Sequence, residues 1–124
     1  HEYDLVVENN RTLFQATASG GVVLGRNATV VLAENPRALH VKLDGPVETR
    51  VARAAAEAGI DLDRAARRQV HEDAVRAEMS LKLYNWDPRQ SDRYDLVINT
   101  AHLDDDAVVQ IIVAASRAKA ARVG

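Results

Sequence analysis

Along residues 61–87, DLDRAARRQVHEDAVRAEMSLKLYNWD, apolar positions recur at steps of four and three: Leu62, Ala66, Val70, Ala74, Ala77, Leu81 and Tyr84. That spacing lays them along one stripe of a helix. The other face is charged. Arg64, Arg68, Glu72 and Arg76 stand four apart, so a ladder of alternating sign can form there, with Arg67, His71, Asp73 and Lys82 beside it.

The rest of the chain alternates short apolar runs with helical periods. Residues 2–18 place Leu5, Val6, Asn9, Leu13, Phe14 and Ala16 near helical spacing, and Ser19-Gly20-Gly21 stops the pattern. Val22-Val23-Leu24 is too short for a helix and reads as a buried strand of the parallel kind, closed by Gly25-Arg26. Residues 27–33 fit a helical turn or a strand equally, and Asn35-Pro36 breaks them. Ala38 to Leu43 is a second strand, turned by Asp44-Gly45-Pro46 into an alanine-rich helix from Pro46 to Ala58 that Gly59 ends. Tyr94 to Ile98 is a third strand. Asp104, Asp105 and Asp106 open a last helix, whose tail from Arg117 is expected to fray. This alternation predicts an α/β protein with a parallel sheet and flanking helices.

At 124 residues the chain has the length of one domain, residues 1–124, and 47% hydrophobic content suffices for a core. With one Trp, one Phe and three Tyr, aliphatic side chains must fill it. A net charge of -2 argues against a general binder of nucleic acid or anionic membrane, because counterion release needs surplus cations. No apolar run reaches the roughly 18 to 20 residues that span a bilayer, and the opening HEYDLVVENN lacks signal-peptide character. With no cysteine, thiol nucleophiles and disulfides are excluded. The expected setting is the cytoplasm.

Candidate chemistry narrows quickly. His1, His40, His71 and His102 lack the spacing of a metal site, and the Asp104–Asp106 run is better explained as a helix cap than as a cation site, so no metal site is expected. His71-Glu72-Asp73 has no serine or threonine on a nucleophile elbow to serve. Gly20-Gly21 precedes a strand, whereas a phosphate loop follows one, and no Gly-Lys-Ser/Thr comes after it. What survives is a set of arginines. Arg26 follows the first strand, Arg50 and Arg53 share a helix, and Arg64, Arg67, Arg68 and Arg76 lie on the organising helix. Guanidinium forks bind phosphate oxygens in pairs, which suits phosphoryl transfer.

The string GGVVLGRNATVVLAENPRALHVKLDGPVETRVARAAAEAGID, the Asp73/Arg76 pair in DxxR spacing, Leu83-Tyr84 and YDLVINT at 94–100 together resemble the cytidylate kinase-like family of nucleoside monophosphate kinases. The resemblance covers nearly the whole chain and corresponds to about the carboxyl two thirds of such an enzyme. It implies a three-layer α/β/α P-loop kinase fold lacking its first βα unit, and ATP-dependent phosphorylation of CMP or dCMP with magnesium. It also implies that Gly25 and Arg26 contact the monophosphate, with Arg50 and Arg53 as further phosphate contacts. Residues 61 to about 87 would form a mobile lid, with Asp73 and Arg76 as its catalytic pair and Arg68 and Lys82 on phosphate. Asn27 stands where cytidylate kinases carry aspartate, and Gln69, Ala74 and Met79 also depart from the family pattern.

No P-loop string occurs in these residues, so little kinase turnover is expected of the chain alone. The strands at Val22 and Leu39 would then flank a vacancy, open to a missing amino-terminal segment, to a second copy in a homodimer, or to direct pairing of the surviving strands. The alternative from another class is a non-catalytic nucleotide-sensing or partner-docking module.

Overall fold

The computed structural model of the chain describes residues 2–25 and 27–123. Its elements follow in the order α1 (Glu2–Ala16), α2 (Ala28–Val31), β1 (Val41–Asp44), α3 (Val47–Ala58), α4 (Leu62–Tyr84), β2 (Leu96–Asn99) and α5 (Asp105–Val123). β1 and β2 pair in parallel, with Val41 opposite Leu96 and Asp44 opposite Asn99. Helices with a small parallel sheet make the α/β class expected above.

Helix ends form where short polar side chains and glycine permit them. Asp61 accepts from the Arg64 N–H at 2.8 Å and starts α4, and Asp104 accepts from the Ala107 N–H at 2.8 Å and starts α5. Gly59 (φ 66°) closes α3 in the left-handed region, and Asn85 (φ 53°) closes α4 there, ending that helix short of Trp86 and Asp87. The undecided stretch after Gly25 resolves as the single helical turn α2.

Three expectations are corrected. Val22-Val23-Leu24 forms no strand: Val22 and Leu24 are each 94% exposed. A strand needs a neighbour, and among the described residues β1 pairs only with β2. Secondly, α5 runs to Val123 without fraying at Arg117. The alanines of its tail favour helix, and Lys119 ties it down by donating to the Ala38 carbonyl at 2.6 Å and to Asp95 Oδ2 at 2.8 Å.

The third correction concerns which face of α4 is packed. Its buried residues are Ala65, Ala77 and Ser80; Ala77 belongs to the expected stripe, whereas Leu62, Val70, Ala74 and Leu81 of that stripe are exposed. The packed side therefore overlaps the expected stripe only in part. Ala65 meets Val51 and Ala55 of α3, with Ile60 and Ala66 at the margin. Small side chains let the α3 and α4 backbones approach closely, so the alanine face is buried in preference to the bulkier one.

At the amino-terminal ends of the strands, the His40 N–H donates to Asp95 Oδ2 at 2.8 Å, alongside Lys119. Burial pushes the His40 imidazole below its ordinary value of 6.5, and the Lys119 charge adds to this against the pull of Asp95. Burial raises Asp95, but its hydrogen bonds from Lys119 and His40 outweigh that and leave it below 3.8. Both folded values are depressed, so both contributions are complete above the unfolded values and are lost as pH falls. The urea midpoint is expected to decline first below about pH 6.5 through His40 and again below about pH 4 through Asp95. His40→Gln should flatten the first limb alone, and an unchanged first limb would refute the assignment.

Candidate functional site

The charged face of α4 forms as its spacing implies. Glu72 accepts from Arg68 Nε at 2.9 Å through Oε1, and Arg76 Nη2 stands 3.9 Å from its Oε2. One residue on, Asp73 accepts from Gln69 Nε2 at 2.9 Å and faces Arg50 Nη1 of α3 at 3.5 Å. The structure thus gathers Arg50, Arg68 and Arg76 around Glu72 and Asp73. Three cations against two anions leave one positive charge. Arg50 Nε is buried with no hydrogen-bond partner among the described residues.

Other expected site residues lie apart from this cluster. Arg53 is exposed on α3, and no ion pair among the described residues joins it to the others. Lys82 is exposed in the last turn of α4. Arg64 and Arg67 are exposed on its first turns. Arg26 lies outside the described residues, and so does His1.

Gly25 and Asn27, on either side of Arg26 in the chain, line a second feature. This is a cleft of about 730 Å³ between α1, residues 23–28 and the last turns of α4. Its walls include Leu5, Leu13, Met79 and Leu83, with Asn9 and Tyr84 supplying polar groups. Two side-chain bridges hold it together. Asn9 Nδ2 donates to the Tyr84 hydroxyl at 2.6 Å, which donates in turn to Asn10 Oδ1 at 3.2 Å, pinning α1 to α4. Asn27 Oδ1 accepts from Ser80 Oγ at 2.8 Å and from Trp86 Nε1 at 3.1 Å.

These bridges span more than fifty residues and carry no local signal, so the sequence singled out neither Ser80 nor Trp86. Ser80 sits four residues beyond Arg76 and seven beyond Asp73, positions that share one helical face. The Asn27 contact therefore falls one turn from Arg76 and two turns from Asp73 along α4.

Chemically, the cluster is a set of guanidiniums held by carboxylates they can exchange. Part-exposed ion pairs are each worth about 0.2–1 kcal/mol, whereas charge-assisted hydrogen bonds to phosphate are stronger, so a phosphoryl ligand can displace the acids at small cost. Among the described residues, no group of three His, Cys, Asp or Glu could hold a metal ion. Among the described residues, too, no helix is long and apolar enough to cross a membrane.

Helices around a small parallel sheet, with an arginine and carboxylate cluster between α3 and α4, define an α/β protein. More specifically, the chain belongs to the cytidylate kinase-like family, which residues 2–102 match. It is 31% identical over 121 residues to a cytidylate kinase of Methanopyrus kandleri, covering 90% of this chain and 63% of that kinase. A cytidylate kinase of Methanocaldococcus jannaschii is 31% identical over 111 residues, covering 87% and 62%. A uronate isomerase of Corynebacterium glutamicum is 38% identical over 106 residues, which are 86% of this chain but 20% of that protein. The chain spans less than two thirds of each of these relatives.

Proposed function

We propose that this chain is the monophosphate-binding and lid portion of a cytidylate kinase-like phosphotransferase that moves a phosphoryl group from ATP to CMP or dCMP. In this reading Gly25 and Arg26 take the monophosphate, and Arg50, Arg53, Arg68 and Lys82 supply further charge to phosphate. Asp73 and Arg76 engage the nucleotide as residues 61–87 close over it. The observation that carries the reading is the Asn27–Ser80 bond, which ties the residue after Arg26 to the α4 face bearing Arg76 and Asp73. The orphaned Arg50 Nε adds to it, because a buried N–H without an acceptor stands ready for a ligand oxygen.

The three-layer kinase fold that the family implies requires more strands than β1 and β2. The free edge of β1 and the exposed Val22–Leu24 run are where we place the missing strand. The same unit would bring the phosphate loop.

Calorimetric titration with CMP tests this reading. Binding is expected, and Arg26→Ala is expected to abolish it. Mixing the chain with ATP, magnesium and CMP should release almost no ADP, since no P-loop lysine is present to cradle the transferred phosphate. Robust turnover would show that the catalytic apparatus has been misplaced.

A second reading, a nucleotide-sensing or partner-docking module, is favoured by the Corynebacterium relative, in which the matching segment is only 20% of a much longer protein. Absence of binding to CMP, dCMP and ATP would favour docking over both nucleotide readings.

A further inference from the structure

Asn27 opens α2, yet its side chain makes no capping bond to that helix. Asparagine is among the best helix caps, because its carboxamide oxygen satisfies a free N–H of the first turn. Here that oxygen is engaged elsewhere. It accepts from Ser80 Oγ and from Trp86 Nε1, groups that lie 53 and 59 residues away and belong to residues only 1% and 4% exposed. An indole N–H can only donate, so the carboxamide must present its oxygen to α4, and the amide's orientation is settled. Both residues are buried, and the indole N–H would be left unsatisfied without this oxygen.

The joint does not stop at Asn27. The Trp86 ring lies 5.9 Å from that of Tyr94 at a tilt of 50°, and Lys42 Nζ of β1 stands 5.9 Å from the Tyr94 ring. One oxygen therefore couples the start of α2 to the carboxyl end of α4 and, through two rings, to the sheet.

We propose that Asn27 is a positioning residue: its carboxamide pins the start of α2, which follows the Gly25-Arg26 motif in the chain, to Ser80 and Trp86, so that the phosphate-contact motif and the arginines of α4 are held in one register. This rests on the nucleotide-binding reading above. Because Trp86 is the only tryptophan of the chain, it also reports the state of the joint.

The test is CMP calorimetry on the full chain, read together with tryptophan emission and acrylamide quenching. Asn27→Ala is expected to weaken CMP binding about tenfold, shift Trp86 emission to longer wavelength and raise its quenching, with helical circular dichroism unchanged. Asn27→Asp keeps two acceptor sites and should restore the emission and the protection. If Asn27→Ala does not fold, Ser80→Ala removes one of the two donors without opening the core and should weaken CMP about threefold.

A parent chain that binds CMP, with variants that fold and bind it equally well, overturns this inference and leaves the nucleotide reading intact. Asp at position 27 behaving like Ala in emission also overturns it. A parent chain that does not bind CMP at all removes the nucleotide reading and the inference with it.

Discussion

Trp86→Ala is expected to destabilise the fold by about 3–5 kcal/mol, the range for a large aromatic truncated in a packed site. Against a total stability of about 5–15 kcal/mol for a domain of this kind, that change brings the chain close to unfolding. Trp86 is 4% exposed and stands where three parts of the molecule meet: the Asn27 turn through its N–H, the end of α4 through the chain, and the loop before β2 through Tyr94. Tyr94 is itself anchored by donating its hydroxyl to the Pro88 carbonyl at 3.0 Å, and Lys42 reaches across to the Arg89 carbonyl at 3.1 Å. Trp86→Phe keeps much of the ring packing but loses the donor and part of the buried volume, so a smaller cost of about 1–2 kcal/mol is expected. Urea titration followed by circular dichroism measures both. A loss below 1 kcal/mol for the alanine variant would mean that the three parts hold together without this side chain.

How much of this was legible in the sequence depends on the range of the interaction that decides each feature. Local signals worked. Asp104 at the head of α5, Gly59 after α3 and the alternation of apolar runs with helical periods placed α3, α4 and α5 and the parallel class of the sheet. Pairing and facing are not local. Val22-Val23-Leu24 has the composition of a strand, but composition supplies no partner, and the run stays exposed while, among the described residues, β1 pairs only with β2.

The α4 stripe shows the same limit. Periodicity located a real aliphatic stripe at Leu62, Val70 and Leu81, but α3 and α4 approach through alanines, and close backbone contact decided which side was buried. At the site, the four-residue spacing of Arg68, Glu72 and Arg76 gave their ladder directly. The Arg50–Asp73 pair crosses between helices and had no such warrant. Asn27, noted in the sequence as a departure from the family's aspartate, turned out to be an acceptor for two buried donors, a task that either side chain can perform.

Arg76→Ala separates the nucleotide readings from a purely structural role for the basic helix. In the present structure Arg76 contributes a single part-exposed contact, 3.9 Å from Glu72 on its own helix, and such pairs stabilise by about 0.3–0.5 kcal/mol. Its removal should therefore leave the urea midpoint almost unchanged. A charge-assisted hydrogen bond to a phosphate oxygen is worth about 1.5–3 kcal/mol, so the same variant should weaken CMP binding by about one to two powers of ten. The two magnitudes differ enough for one pair of measurements to decide. Arg76→Lys sharpens the comparison, because it retains the charge but loses the planar fork, and an intermediate affinity is expected. Arg64→Ala is the control on the same helix: it removes an exposed charge with no proposed phosphate contact, and a loss as large as that of Arg76→Ala would show that charge density alone governs affinity. Parent-like affinity in Arg76→Ala would leave the guanidinium at position 76 as a surface charge, and the phosphate contacts would have to be sought around Arg26 and Arg50 instead.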